Sequence, residues 1–194
     1  SGGGTITFYE SDYSLAGTFT PLNGNFTLDP APGNKFTIMS TSGIGGARVA
    51  EVPGGFNISG TFTVQRFLPG GIADLRNISS PVTGATLSQW DPDIYISGTG
   101  FPDGCAVGGG GCYFSCKRYN HSIYYNVTNI NEVMLPGYSY EIFIGDDLSV
   151  FNGAVLESKG SLNNGGDVVL SLTTGWTLVG NPFASPMLYS ACTR

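Results

Sequence analysis

The sequence predicts an all-β fold, an antiparallel β-sandwich or jelly-roll-like arrangement with Gly-rich loops and almost no helix. Thirty glycines and 11 prolines among 194 residues cut the chain into short runs, and both residue types weaken helix interiors. Those runs alternate apolar and polar positions with period two, the pattern of a half-buried strand. No window of eleven residues carries an apolar stripe at the helical period. Charged residues make up 11% and hydrophobic ones 41%, a balance that excludes coiled coils and disordered tails.

Taken in order, strands are expected at 5–9, 16–19, 25–28, 35–40 and 47–51, each rich in Thr, Phe, Ile or Val and bounded by Gly, Pro, Asn or Asp. A longer run follows at 56–68, then 75–79, 93–98, 122–126, 139–145, 155–159, 167–172 and 175–179. Asn23-Gly24, Asn152-Gly153 and Asn164-Gly165 read as hairpin dipeptides, and Pro32-Gly33, Pro69-Gly70 and Pro136-Gly137 as tight turns. Two stretches echo each other: Leu75 to Val82 and Trp176 to Phe183 both run as a strand into two small polar residues, then Pro and an apolar residue. Proline cannot donate to a ladder, so each stretch leaves its sheet at that point, and the two are expected to lie side by side.

The length suits one large β domain or two small ones. Residues 1–64 are expected as an N-terminal β region, either the end of a preceding repeat or part of the same sandwich, and residues 65–194 as a C-terminal sandwich module. Net charge is −6 with eight scattered Lys and Arg, which offers phosphates no basic stripe and excludes nucleic acid as a partner. No apolar run is long enough to insert in a membrane as a helix.

Cys105, Cys112 and Cys116 crowd into one Gly-rich segment, and Cys192 lies near the end. Their spacing gives no pair of zinc knuckles, so disulfides are expected, with Cys105 joined to Cys112 and Cys116 to Cys192 among the three pairings that four cysteines allow. With disulfides, an oxidising compartment is expected, extracellular or periplasmic. Calcium is the candidate cation, with Asp91, Asp93, Asp103, Asp146 and Asp147 as hard oxygen donors in Gly-rich loops; the competing role of such residues is to start turns. No other cofactor is expected.

The single histidine, His121, has no G-x-S-x-G turn to serve, and none of the 14 acidic residues stands out as a catalytic pair. The chain is therefore read as non-enzymatic. Tyr119, Asn120, His121, Tyr124 and Tyr125 form an aromatic and amide run suited to stacking on sugar rings or on another protein. Alternation puts Ile123 and Tyr125 on one face and Tyr124 and Asn126 on the other, so half of this run is expected in the core.

The phrase GWTLVGNPFASP, from Gly175 to Pro186, resembles the GWNLVGNPYPSP signature near the C-terminus of large secreted surface proteins of Bacteroidetes-type bacteria. TFTVQRFLPGGIADLRNISSPVTGATLSQW, from Thr61 to Trp90, is similar to the same family's V-x-R strand, Pro-Gly turn and SSP exit. FTIMSTSGIGGARVAEV, from Phe36 to Val52, resembles the strand pair that precedes it, and GYSYEIFIGDD, from Gly137 to Asp147, a later strand. The resemblance implies export by the type IX secretion system and a place at the bacterial cell surface or outside it, and from their places in its pattern Trp90 and Trp176 are expected as core anchors. After Pro186 this chain departs from the pattern with MLYSACTR. The function so implied is a structural or adhesive module that presents or terminates a stalk, with other domains of a longer surface protein or neighbouring surface proteins as partners. The alternative is an ancillary carbohydrate-binding module of a polysaccharide-degrading enzyme, with glycans as partners.

Overall fold

The computed structural model describes residues 5–8, 12–22, 24–28, 34–43, 45–53, 56–108, 111–146, 149–164, 166–172 and 174–192. It is all-β, as the composition predicts. Strands β1 (Thr5–Phe8), β2 (Tyr13–Leu15) and β3 (Thr18–Phe19) make a first circuit of the chain. A second circuit follows in β4 (Asn25–Leu28), β5 (Phe36–Ile38), the small pair β6 (Ser40–Thr41) and β7 (Gly45–Gly46), and β8 (Arg48–Val49). Strands β9 (Asn57–Ser59) and the long β10 (Phe62–Ile72) begin a third. Then come β11 (Asp74–Ile78), β12 (Val82–Thr83), β13 (Ala106–Gly108), β14 (Gly111–Tyr113), β15 (Cys116–Asn120), β16 (Ile123–Asn126), β17 (Tyr140–Ile144) and β18 (Val150–Leu162). Helix among the described residues is confined to 3₁₀ turns at Leu87–Gln89 and Tyr189–Ala191, and no helix is long and apolar enough to cross a membrane.

The three circuits stack. β1, β4 and β9 lie parallel in one sheet, β2, β5 and β10 in a second, and β3 and β8 in a third. Parallel neighbours need a long return connection, and here the other two faces of each circuit supply it. This departs from the antiparallel pairing expected for the first third of the chain, because a chain that winds returns to each face in the same direction. Inside the winding, Tyr13 stands in register with Phe36 and Phe62 meets Phe36 edge-on at 5.4 Å, with Phe8 edge-on to both Tyr13 and Phe36 at 4.6 and 5.4 Å. Leu15, Ile38 and Val64 form a second ladder beside it.

The C-terminal half closes the winding at its far end, and does so on every face. β18 runs antiparallel along β10 for its whole length. The side-chain Nδ2 of Asn164 donates to the Ile58 carbonyl of β9 at 2.6 Å. Val49 of β8 donates its N–H to the Ala184 carbonyl at 2.9 Å, and the Arg66 guanidinium, half-buried on β10, donates to the Phe183 carbonyl at 3.3 Å. β11, β17, β15 and β16 then form an antiparallel four-stranded sheet. Its inner side chains join those of the winding in one core that includes Ile38, Phe62, Val64, Trp90, Tyr140, Ile142 and Ile144. Residues on both sides of position 64 thus share a sheet and a core, and the expected boundary at 64/65 falls inside β10. Trp90 is buried as expected, its Nε1 donating to Ser158 Oγ at 3.0 Å.

Two turn signals prove to be strand irregularities. Pro69 stands opposite Gly153 in the ladder of β10 and β18, so Pro69-Gly70 and Asn152-Gly153 face each other within one ribbon. A Cβ on Gly70 would lie 2.8 Å from the Phe151 carbonyl, and Gly153 has φ +97°; glycine is needed on both sides for the backbones to pass. Pro136-Gly137 does form a turn, with Gly137 at φ +80°. Asn23, Pro32, Gly33 and Gly165 lie outside the described residues.

Residues 93–98, 167–172 and 175–179 are not strands. The first winds into turns below Trp90, with Asp93 and Ile94 both donating to the Trp90 carbonyl at 2.9 and 3.0 Å. The stretch at 175–179 contributes a single bridge, Val179 to Tyr138. Of the expected disulfides, Cys105–Cys112 forms, with Cα atoms 5.0 Å apart. Cys116 and Cys192 do not pair: Cys116 points into the core from β15, while Cys192 is exposed at the end of the tail.

Candidate functional site

Register fixes which side chains share the outer face of the four-stranded sheet. Tyr140, Ile142 and Ile144 of β17 and Cys116 of β15 are buried, so their neighbours along each strand point outward. Asn77, Glu141, Lys117 and Asn126 stand opposite one another in a single row across all four strands. Leu75 and Phe143 flank that row on one side, and Tyr119 and Tyr124 on the other.

The two tyrosine rings lie 4.7 Å apart and tilted by 50°. Tyr124 is 54% exposed, and its hydroxyl donates to Glu141 Oε2 at 3.1 Å. That accepting carboxylate holds the Tyr124 phenol above its ordinary range, because ionisation would lose the bond and add a like charge. Lys117 faces Glu141 across the ladder and places its Nζ 5.3 Å over the ring of Tyr113. Tyr113 comes from the hairpin of β13 and β14, which the Cys105–Cys112 disulfide ties at its base. Ser97 Oγ donates to the Tyr113 carbonyl at 2.8 Å and fixes that hairpin to the body.

The sequence singled out five residues here, and the structure divides them. Tyr119 and Tyr124 meet on the outer face. Tyr125 lies on the opposite side, beside Arg118, whose Nη1 is 2.9 Å from Glu132 Oε1. Asn120 accepts the Thr177 hydroxyl at 2.8 Å and anchors the tail instead of facing solvent. His121 occupies the two-residue turn between β15 and β16 at φ +51°. None of Ile123, Tyr124, Tyr125 and Asn126 is core, contrary to expectation, because β16 is the edge strand and no layer covers either side of it. Trp176 is 78% exposed, likewise against expectation: its main chain is held against Ser122, which turns the indole to solvent. Tyr113, Lys117 and Glu141 were missed. For Lys117, the signal was its spacing of two from Tyr119, which puts both on one face of a strand.

Two of the carboxylates expected as calcium ligands, Asp103 and Asp146, accept donors from the protein itself, whereas Asp91 Oδ1 is buried with no hydrogen-bond partner among the described residues. Asp103 Oδ2 accepts the Ile96 N–H at 3.0 Å, and Asp146 Oδ2 accepts both the main-chain N–H and the side-chain amide of Asn152. Burial raises the carboxyls of Asp91 and Asp93, with the charge of Asp103 adding to the first. Asp147 lies outside the described residues. Among the described residues, no three His, Cys, Asp or Glu side chains converge as metal ligands.

A second feature is an open cleft of about 750 Å³ between β8 and the tail, lined by Arg48, Glu51, Asn163, Asp167, Phe183 and Met187 among others. It marks the seam where the 183–187 segment closes the winding. The outer face, by contrast, presents rings and amides beside one cation and one carboxylate, Lys117 and Glu141, paired across the ladder, groups whose chemistry is stacking and hydrogen bonding. No family model, curated protein or solved structure matches the chain.

Proposed function

We propose that this chain is a non-enzymatic extracellular module of a bacterial cell-surface or secreted protein of the type IX export class, with a structural and adhesive role. The observation that carries this reading is the outer face: half-buried Tyr119 and exposed Tyr124 meet on the side of the four-stranded sheet opposite the core residues of β15 and β17, with Tyr124 on the edge strand. Rings held in place before contact lose little entropy on binding. The likeness of Gly175 to Pro186 to the surface-protein signature supports the location. Beads coated with the chain should be retained on the target surface under washing, and beads carrying Tyr119→Ala/Tyr124→Ala should lose about tenfold in retention, the scale of a truncated interface anchor. Equal retention of both bead types would overturn the adhesive assignment.

The alternative, an ancillary carbohydrate-binding module, is favoured by one feature. The row between the rings is polar, with Asn77, Glu141, Lys117 and Asn126, whereas the cores of protein interfaces are depleted in charge. A neutral polysaccharide would satisfy those groups with hydroxyls and stack on the tyrosines. Retardation in gels containing neutral polysaccharide, lost in Tyr124→Ala, is the outcome that selects this reading; mobility unchanged by any such gel rejects it.

A further inference from the structure

The four-stranded sheet has two edges, and they are finished differently. β11, at one end of the strand order, carries Asp74 and Arg76. Both bind the chain beside them: Asp74 Oδ1 accepts the Leu75 N–H at 2.7 Å, and Arg76 donates to the Pro69 carbonyl at 2.9 Å. Charges on an edge strand discourage a further strand from pairing with it. β16, at the other end, reads Ile123-Tyr124-Tyr125-Asn126, with no charge and no proline, and every one of its residues is exposed. Exposed Trp176 joins these side chains at the turn, where its carbonyl accepts the Ser122 N–H.

Ladder alternation fixes which main-chain groups β16 offers. The two-residue turn closes on Asn120 and Ile123, and beyond the other end of the strand the Val127 N–H donates to the Cys116 carbonyl at 3.0 Å. Pairs that exchange hydrogen bonds with β15 therefore fall at Ile123, Tyr125 and Val127, so Tyr124 and Asn126 turn their N–H and C=O groups outward. Neither has a main-chain partner on that side among the described residues.

We propose that this edge is a dimer interface, in which β16 pairs antiparallel with β16 of a second copy about a two-fold axis at Tyr125. The spacing of the outward groups defines the axis. Tyr124 of each copy exchanges hydrogen bonds with Asn126 of the other, and no outward group of either residue is left unpaired. Tyr125 faces its own counterpart on one side of the joined sheet, an aromatic cross-strand pair. On the other side Tyr124 faces Asn126, so no like charges meet; Arg118, behind Tyr125 in the row, is already held by Glu132 at 2.9 Å. A loose peptide is the poorer occupant. Strand addition of a peptide draws its specificity from pockets for alternate side chains, and with all of β16 exposed on both sides there is no wall to form them. A second copy brings an ordered edge with its own rings. The joined sheet keeps both outer faces on one side and leaves Tyr119 and Tyr124 open to solvent there, so the inference does not rest on the adhesive reading.

Sedimentation tests it, with Cys192 alkylated so that no disulfide joins two copies. The chain should pass from monomer to dimer as concentration rises about a hundredfold through the micromolar range, the regime of a small interface. Amide exchange at Tyr124 and Asn126 should slow over the same range. Asn126→Pro removes an outward donor while the bonds to β15 remain; it should weaken association by about tenfold or more and leave Tm of the dilute protein nearly unchanged. Tyr125→Lys and Tyr125→Glu should each stay monomeric alone and dimerise when mixed, because the axis sets the two substituted side chains face to face. A chain that is monomeric at every concentration overturns the proposal and leaves the edge to a strand of another protein. A dimer that survives both Asn126→Pro and Tyr125→Lys overturns it as well, since the contact then lies elsewhere.

Discussion

Ser122 and Trp176 clasp each other through two hydrogen bonds. The Ser122 N–H donates to the Trp176 carbonyl at 2.8 Å, and the Trp176 N–H donates to Ser122 Oγ at 2.9 Å. Ser122 makes these bonds from a left-handed backbone, φ +63°, in a turn whose other residue, His121, is also left-handed. Such turns favour Asn and Gly, so the clasp holds the tail against a strained hairpin. Ser122→Ala keeps the strain and loses one bond; it should cost about 1 kcal/mol, or a fall in Tm of about 2–4 °C for a chain of this size. Ser122→Gly loses the same bond but relieves roughly 1 kcal/mol of backbone strain. Thermal unfolding should therefore rank glycine above alanine at this position, and the reverse order would refute the strain argument.

The cysteines give a counting prediction. Without denaturant or reductant, an alkylating reagent should modify one thiol, Cys192, because Cys116 is buried and the other two are joined. Denaturant should release a second thiol and reductant the remaining two. Mass spectrometry after each step checks the count; a native protein with no reactive thiol would mean that Cys192 has a partner. Closing so short a loop is worth about 2–3 kcal/mol, confined to the hairpin that carries Tyr113.

Legibility in the sequence tracked what local pattern can encode. β4 and β11 were legible almost to the residue because alternation and flanking turns are local properties. The echo between the SSP and GNP stretches was legible too: Ser79 Oγ donates to the Asn181 carbonyl at 3.0 Å, so the two exits do lie together. The winding was not, because parallel pairing depends on residues twenty to thirty positions apart returning to the same face, and nothing in a five-residue run states its direction. For β16 the alternation was real, yet burial depends on whether another layer covers the strand, and an edge strand reads like a central one. Trp176 was misplaced for the same reason: composition marks a tryptophan as apolar, whereas the hydrogen bonds of its own main chain fix where it points.

Alkaline stability should report two buried acids. Burial pushes the Cys116 thiol far above its ordinary range, with the Glu132 charge adding to the effect, and burial pushes Tyr140 up to about 12. Both groups bind their proton more tightly in the folded state, so their contribution is complete below the unfolded pKa values and is lost as pH rises through and beyond them. For the thiol the loss begins above about pH 8.5, and for the phenol above about 10. The Tyr140 share is on the order of 2–3 kcal/mol between about pH 10 and 12. Tm measured against pH should be flat near neutrality and then fall. Cys116→Val should delay the onset toward pH 10, and Tyr140→Phe should flatten the later decline. An onset unmoved by Cys116→Val would show that the thiol is not the first group to titrate.

The contact between the two exits turns on Gly180. A Cβ there would lie 2.3 Å from Ser79 Cβ and 2.6 Å from its Oγ, far inside any real approach. Around it, Gly180 donates its N–H to the Gly137 carbonyl at 2.9 Å, and Ser139 donates its N–H to the Leu178 carbonyl at 3.2 Å. Gly180→Ala must force the tail away from Ser79 and lengthen these bonds, at a cost of about 1–3 kcal/mol, or a fall in Tm of roughly 3–10 °C. Gly166→Ala is the control: it is exposed, a Cβ there meets nothing within 4 Å, and Tm should hardly change. Because the clash is with one small side chain, Ser79→Gly should recover part of the loss in the Gly180→Ala background, although it also removes the bond to Asn181. The two substitutions are in contact and should be strongly non-additive. Strict additivity would mean that the alanine is accommodated elsewhere and that the close approach of the two segments does not set the stability of the tail.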